Sequence, residues 1–186
     1  MRIVLLGAPG SGKGTQAALL KTRLNVPHIS TGEILRAAVA AGTPLGRQAK
    51  AVMAAGALVS DEIVLGMLEE RFSQPDVLGG FILDGYPRNL AQANALEALL
   101  GRLGQPIDRA VQLDVAESTL LQRLAGRAKA EGRADDNPDS VAHRLHVYTE
   151  QTAPVIDFYE KHGALVRVPG EGSTEEILER IIAALD

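Results

Sequence analysis

The chain has 186 residues, of which 46% are apolar and 23% charged, with a formal net charge of −4 and no Cys. That length fits one domain carrying at most small mobile insertions. The acidic balance argues against a surface that coats nucleic acid or anionic lipid, and the missing thiols exclude disulfides and Cys-ligated zinc. Ile3–Leu6 is too short for a signal-peptide core, and no apolar stretch reaches bilayer-spanning length, so a soluble cytoplasmic protein is expected. With only 3 Tyr, 3 Phe and no Trp, the core is expected to rest on Leu, Ile, Val and Ala. Arg outnumbers Lys by 14 to 5; the planar guanidinium suits phosphate oxygens, although composition alone favours genomic GC bias as the reason.

In chain order, Arg2–Leu6 is a short apolar run ending in Gly and predicts a buried strand. Lys13–Leu24 has helical spacing, with Leu19, Leu20 and Leu24 on one side. His28–Ser30 predicts a second strand. Gly32–Ala40, Leu45–Ala54 and Ser60–Phe72 predict helices separated by Gly-containing turns. Phe81–Asp84 follows Gly79-Gly80 as a strand, and Leu90–Arg102 is an Ala- and Leu-rich helix. Arg109–Asp114 predicts a strand and Ala116–Gly126 a helix. Gly126–Pro138 is the least regular stretch and predicts an exposed loop. Asn137-Pro138 has the pattern of a cap followed by Pro at the first helical position, and the helix it opens should be kinked or broken at Pro154. Ala164–Val168 is the last strand, and Ser173 with Glu176 opens a final helix as a capping box. Strands alternating with helices imply right-handed βαβ units and a parallel sheet with helices on both faces.

Gly7-Ala8-Pro9-Gly10-Ser11-Gly12-Lys13-Gly14-Thr15 lies between the first strand and the first helix. Glycines let backbone N–H groups turn inward around phosphates because no Cβ blocks the approach. The helix N-terminus adds partial positive charge, and Lys13 can then reach the outer phosphates. The general phosphate-loop pattern has Ser or Thr directly after the Lys. Here Gly14 intervenes before Thr15.

Residues 7–16, GAPGSGKGTQ, resemble the adenylate kinase family rather than phosphate-loop proteins at large. Ser30-Thr31-Gly32-Glu33 with Arg36, Asp84-Gly85-Tyr86-Pro87-Arg88 with Gln92, and Arg133-Ala134-Asp135-Asp136 fall where that family has them, so the resemblance covers the whole chain. It implies a three-layer α/β/α phosphate-loop fold with about five parallel strands, a helical AMP-binding insertion at residues 30–59 and a short lid at 126–136. It implies ATP contacts at Gly10, Ser11, Gly12, Lys13, Gly14, Thr15, Arg127 and Gly172. AMP contacts are implied at Thr31, Arg36, Ala57, Leu58, Val59, Gly85, Tyr86, Pro87, Arg88, Gln92, Arg133 and Arg144. Lys13, Arg88, Arg123, Arg133 and Arg144 are the implied catalytic set, and Asp84 the residue that holds the magnesium hydration shell.

Each position also has its own chemistry. Ser30 and Glu33 make a helix start on their own terms. Asp84 ends a strand at the carboxyl edge of a parallel sheet, where ligands bind. Gln92 offers both a donor and an acceptor to an adenine edge. Arg123 and Arg127 share one face near a helix end, where cations are also favoured by the helix dipole. The four His residues show no ligand spacing and receive no function. Taken together these expectations describe an enzyme that transfers a phosphoryl group from Mg·ATP to AMP, with ATP, AMP and ADP as partners, no zinc and a monomeric state. A UMP- or CMP-type kinase, or a phosphate-loop nucleotide switch without catalysis, are the alternatives.

Overall fold

A computed structural model of the chain describes residues 1–54, 59–131 and 138–186. Among these, five strands form one sheet: β1 (Arg2–Leu6), β2 (His28–Ser30), β3 (Phe81–Asp84), β4 (Arg109–Asp114) and β5 (Leu165–Pro169). Their order is β2-β3-β1-β4-β5, and every neighbouring pair is parallel. Parallel pairing requires a crossover after each strand and buries both faces of the sheet. The helices supply that cover. They are α1 (Lys13–Leu24), α2 (Thr31–Ala41), α3 (Pro44–Ala54), α4 (Asp61–Phe72), α5 (Leu90–Arg102), α6 (Glu117–Glu131), α7 (Pro138–Val147), α8 (Ala153–Lys161) and α9 (Thr174–Leu185).

The period-2 alternation of a strand divides the core in two. Val4 and Leu6 of β1 join Leu83, Ala110 and Ile29 against α4, α5 and α8. Ile3 and Leu5 face the other way, with Ile82, Val111 and Leu113, against α1 and α9. The expectation of an aliphatic core holds for the second layer only. Phe72, Phe81, Tyr86 and Tyr159 are buried in the first layer, with Tyr148 and Phe158 packed on it, and the Phe72 and Phe81 rings lie 4.8 Å apart. Few as they are, the aromatics are concentrated on one face of the sheet, where their large area stabilises most.

The strands begin and end where the sequence places them, to within a residue. Two helical segments differ. α6 does not stop at Gly126 but continues to Glu131. Arg127, Ala128, Lys129, Ala130 and Glu131 are strong helix formers, and a single Gly costs only about 1 kcal/mol in a helix. Before Pro154 the chain does not simply kink. It widens into a π-helical turn at Tyr148–Thr152, after which α8 resumes. A proline ring collides with the carbonyl four residues earlier, here that of Glu150, and a wider turn moves that carbonyl aside. Ala57, Leu58, Arg133 and the Asn137 cap lie outside the described residues.

At the carboxyl edge of the sheet, β1 is followed by a connection that crosses to the β2 side, whereas β4 leads to β5 on the opposite side. Such a reversal opens a crevice at the strand ends. Leu5 of β1 is in register with Asp84 of β3, and Leu6 with Gln112 of β4, so the loop after β1 emerges between those two positions.

Candidate active site

The loop from Gly7 to Gly12 leaves β1 and feeds the N-terminus of α1. Gly10 and Gly12 have φ of +83° and +95°, in the region open mainly to glycine. Gly10 is constrained twice over, because a Cβ there would come within 2.9 Å of Leu124 Cγ on α6. Ser11 is buried, and its hydroxyl has no hydrogen-bond partner among the described residues. The Lys13 ammonium folds back over the loop and donates to the Gly7 carbonyl at 2.8 Å and to that of Ala8 at 3.4 Å. Burial lowers its pKa to about 8. Asp84 opposes that shift, while Arg88, Arg144 and Arg127 reinforce it. Those influences bring together five residues from separate elements: Lys13 on α1, Asp84 at the end of β3, Arg88 after it, Arg127 on α6 and Arg144 on α7.

Asp84 lies across from the start of α1. A Cβ on Gly14 would stand 4.0 Å from Asp84 Oδ2, so the residue that interrupts the general pattern leaves room between loop and carboxylate. Thr15 is exposed on the following turn. One of the His residues, to which no function is assigned, meets a carboxylate of the site. His28 Nε2 lies 3.3 Å from Asp84 Oδ2, with the two side chains only 14% and 13% exposed. The pair is 56 residues apart in sequence and only sheet pairing joins them, so no local spacing could reveal it. His162 also meets a carboxylate, Glu97, at 3.3 Å, but on the surface.

Arg123 holds the loop from behind. Its guanidinium donates to the Ser11 carbonyl at 3.2 Å, to that of Gly10 at 3.5 Å and to that of Gly170 at 2.8 Å. This ties the phosphate loop to the turn before α9. Gly172 in that turn has φ +116° and sits beside Arg180, whose guanidinium donates to the Pro169 and Glu171 carbonyls at 3.0 and 2.6 Å.

A second cluster forms where β2 and β3 end. Ser30 caps α2 by accepting from the Glu33 N–H at 3.4 Å, and Thr31 donates its hydroxyl proton to the Gly85 carbonyl at 3.2 Å. Gly85 has φ +85°, and a Cβ would come within 2.9 Å of the Thr31 oxygen, so both its conformation and its space require glycine. Arg88 donates from Nε to the same carbonyl at 3.0 Å and from its backbone N–H to Gln92 Oε1 at 2.7 Å. Tyr86 and Pro87 between them are buried, and Val59 is half-buried at the end of the insertion. Arg36, on the first turns of α2, folds over Gly32: a Cβ there would stand 3.1 Å from its guanidinium. Of the positions named from sequence, Thr31, Gly85, Arg88 and Gln92 are linked directly.

Thr152 was not anticipated. It closes the π-helical turn, and its hydroxyl donates to the Arg88 carbonyl at 2.6 Å. Its one local signal is the Ala153-Pro154 that follows, which explains the turn but not the partner 64 residues away. π-turns inside helices often serve functional sites, and this one fastens the helical segment bearing Arg144 to the loop bearing Arg88. Thr152→Val keeps the shape and removes the donor. If the loop bearing Arg88 holds AMP, as the resemblance implies, KM for AMP is expected to rise about tenfold, from one lost hydrogen bond at a positioning contact, with KM for ATP unchanged. Steady-state kinetics against both nucleotides checks this, and an unchanged KM for AMP would make the contact incidental.

The structure thus brings together a glycine-rich loop with the Lys13 ammonium folded over it, the Asp84 carboxylate across from the start of α1, and a linked Thr31–Gly85–Arg88–Gln92 cluster. Comparison with known proteins identifies the family. The family model described as adenylate kinase matches residues 5–164. A protein named adenylate kinase from Xanthomonas campestris pv. campestris (strain 8004) is 69% identical over 185 residues, covering 100% of this chain and 99% of its own length. One of the same name from Xanthomonas axonopodis pv. citri (strain 306) is 68% identical, and one from Stenotrophomonas maltophilia (strain K279a) 64%, each over 100% of this chain and 99% of theirs. With the phosphate loop, the Asp84 edge and the Thr31–Gly85–Arg88–Gln92 cluster all inside the matched range, the chain belongs to the adenylate kinase family.

Proposed function

We propose that the chain moves the terminal phosphoryl group of Mg·ATP to AMP, reversibly, giving two ADP. The observation that carries this reading is the pair of anion-binding clusters, Lys13 with its loop and Thr31–Gly85–Arg88–Gln92, converging on one sheet edge with Asp84 between them. A phosphate oxygen of AMP forms the new bond to the transferring phosphorus as the bond to ADP breaks. The AMP phosphate is already ionised, so no general base is needed, and catalysis rests on alignment and charge stabilisation.

In this scheme the loop N–H groups of Gly10–Thr15 and Lys13 hold the ATP phosphates, with Gly172 passing close to the base. Arg36 and Arg88 hold the AMP phosphate, Ala57, Leu58 and Val59 close over its sugar and base, and Gln92 meets the adenine edge. Arg127, Arg133 and Arg144 would surround the transferring group, while Arg123 would support it through the phosphate loop that its guanidinium holds. Asp84 is a hard oxygen donor beside the loop, suited to holding hydrated magnesium, with Thr15 nearby. Magnesium bound with ATP offsets charge on the phosphate oxygens. Residues 30–59 and 126–136 would close over the two nucleotides and exclude water that would otherwise hydrolyse ATP. The enzyme would work as a cytoplasmic monomer on nucleotides alone, without zinc, nucleic acid or membrane.

A compound of two adenosines joined by a phosphate chain tests the two-site geometry. We expect it to bind one per chain and to compete with both ATP and AMP. Competition against ATP alone would leave the second pocket unsupported. Lys13 makes a further expectation. Its pKa of about 8 in the free protein should rise when phosphates replace the lost hydration, because neighbouring anions favour the charged form. ATP binding between pH 8 and 9 should therefore take up a proton, and affinity should fall as pH rises past 8. Calorimetry in two buffers of different ionisation enthalpy measures the uptake, which Lys13→Met should abolish.

A further inference from the structure

Gln92 is buried at 9% exposure at the start of α5, and both ends of its carboxamide are engaged. Oε1 accepts from the Arg88 N–H at 2.7 Å, and Nε2 donates to Asp61 Oδ1 at 2.7 Å. A backbone N–H can only donate and a carboxylate can only accept. The two partners therefore fix which end of the amide is oxygen and which is nitrogen. A flipped amide would set NH₂ against N–H and C=O against a carboxylate, two repulsions in place of two bonds. Asp61 is the first residue of α4, whose cap is already provided by Ser60, which accepts from the Ile63 N–H at 3.3 Å. Its carboxylate is thus not needed as the cap, and it reaches 31 residues along the chain to Gln92.

A carboxamide has two N–H donors and two oxygen lone pairs. One of each is spent on Asp61 and Arg88, leaving one donor and one acceptor in a fixed order. Adenine presents an acceptor at N1 beside a donor at N6, a pair that an amide N–H and C=O in one fixed order can both meet. A 6-oxopurine presents the reverse, a donor at N1 and an acceptor at O6, and would need the flipped amide.

We infer that Asp61 is a positioning residue for substrate choice: by fixing the polarity of Gln92 it favours a 6-aminopurine monophosphate over a 6-oxopurine one. This rests on the reading that Gln92 meets the AMP base. Asp61 itself touches no reacting atom. Asp61→Asn is the sharpest variant, because it keeps the size and the helix start yet offers either a donor or an acceptor, so it no longer forbids the flip. Asp61→Ala removes the partner altogether.

The test compares kcat/KM for AMP and for IMP, with Mg·ATP in excess, in the wild type, Asp61→Asn, Asp61→Ala and Gln92→Leu. The ratio of AMP to IMP should narrow by about tenfold or more in Asp61→Ala, the scale of one mispaired polar group, and several-fold in Asp61→Asn. A purely structural Asp61 would lower the melting temperature and both kcat/KM values together, leaving the ratio as it was. If Gln92→Leu narrows the ratio and neither Asp61 variant does, the role of Asp61 is overturned while Gln92 keeps its own. If Gln92→Leu leaves the ratio unchanged, the base contact assigned to Gln92 falls, and the inference falls with it.

Discussion

Lys13→Ala is expected to lower turnover by about a hundredfold or more, the cost of deleting one donor aimed at charge that develops during transfer. Among the described residues, the ammonium donates only to the Gly7 and Ala8 carbonyls of its own loop. It packs against no core cluster, so the variant should melt close to the wild type. Indeed, burial already destabilises its charged form, as the pKa of about 8 indicates, so truncation removes a desolvation cost along with the two bonds. Turnover by quenched assay and melting by circular dichroism together check this. Near wild-type turnover with unchanged melting would remove Lys13 from the mechanism.

Arg144→Ala should cost about a hundredfold in turnover as well, with a much smaller change in ATP affinity. Arg144 lies on α7, away from both nucleotide loops in sequence, yet its charge acts on Lys13. On the proposed mechanism, a helix-borne cation near the loop amine would act on the transferring group more than on ground-state binding. Arg144→Lys should recover only part of the loss, because an ammonium cannot reproduce a two-pronged contact. Arg133→Ala should behave in the same way if both arginines reach across the reaction centre. Turnover within about threefold of wild type in both variants would take them out of the catalytic set.

The sheet was legible because its signals are local. Ile3–Leu6 is an apolar run closed by Gly7 and Phe81–Leu83 one opened by Gly80, and the phosphate-loop pattern occupies nine consecutive residues. The Ser173–Glu176 capping box is present with both arms formed, since it needs only four residues in order. What escaped depends on pairs that only the fold brings together. His28 reaches Asp84 because β2 and β3 are in register at Ser30 and Asp84. Thr152 reaches Arg88 through a turn whose width answers to Pro154. Asp61 could be read as an acidic residue favoured by a helix N-terminus, which it is; its hydrogen bond to Gln92 requires α4 and α5 to lie side by side. Gly126 misled in the opposite direction, since a break signal was outweighed by the helix formers that follow it.

The central claim is transfer of phosphate from ATP to AMP, and product formation tests it most directly. Purified protein is mixed with Mg·ATP and, separately, AMP, UMP or CMP, and the diphosphates are separated and counted. The account predicts two ADP for each ATP consumed with AMP, far slower reaction with UMP and CMP, and little ADP when no monophosphate is added. Equal or faster reaction with UMP or CMP, or ADP released without any acceptor, would contradict it.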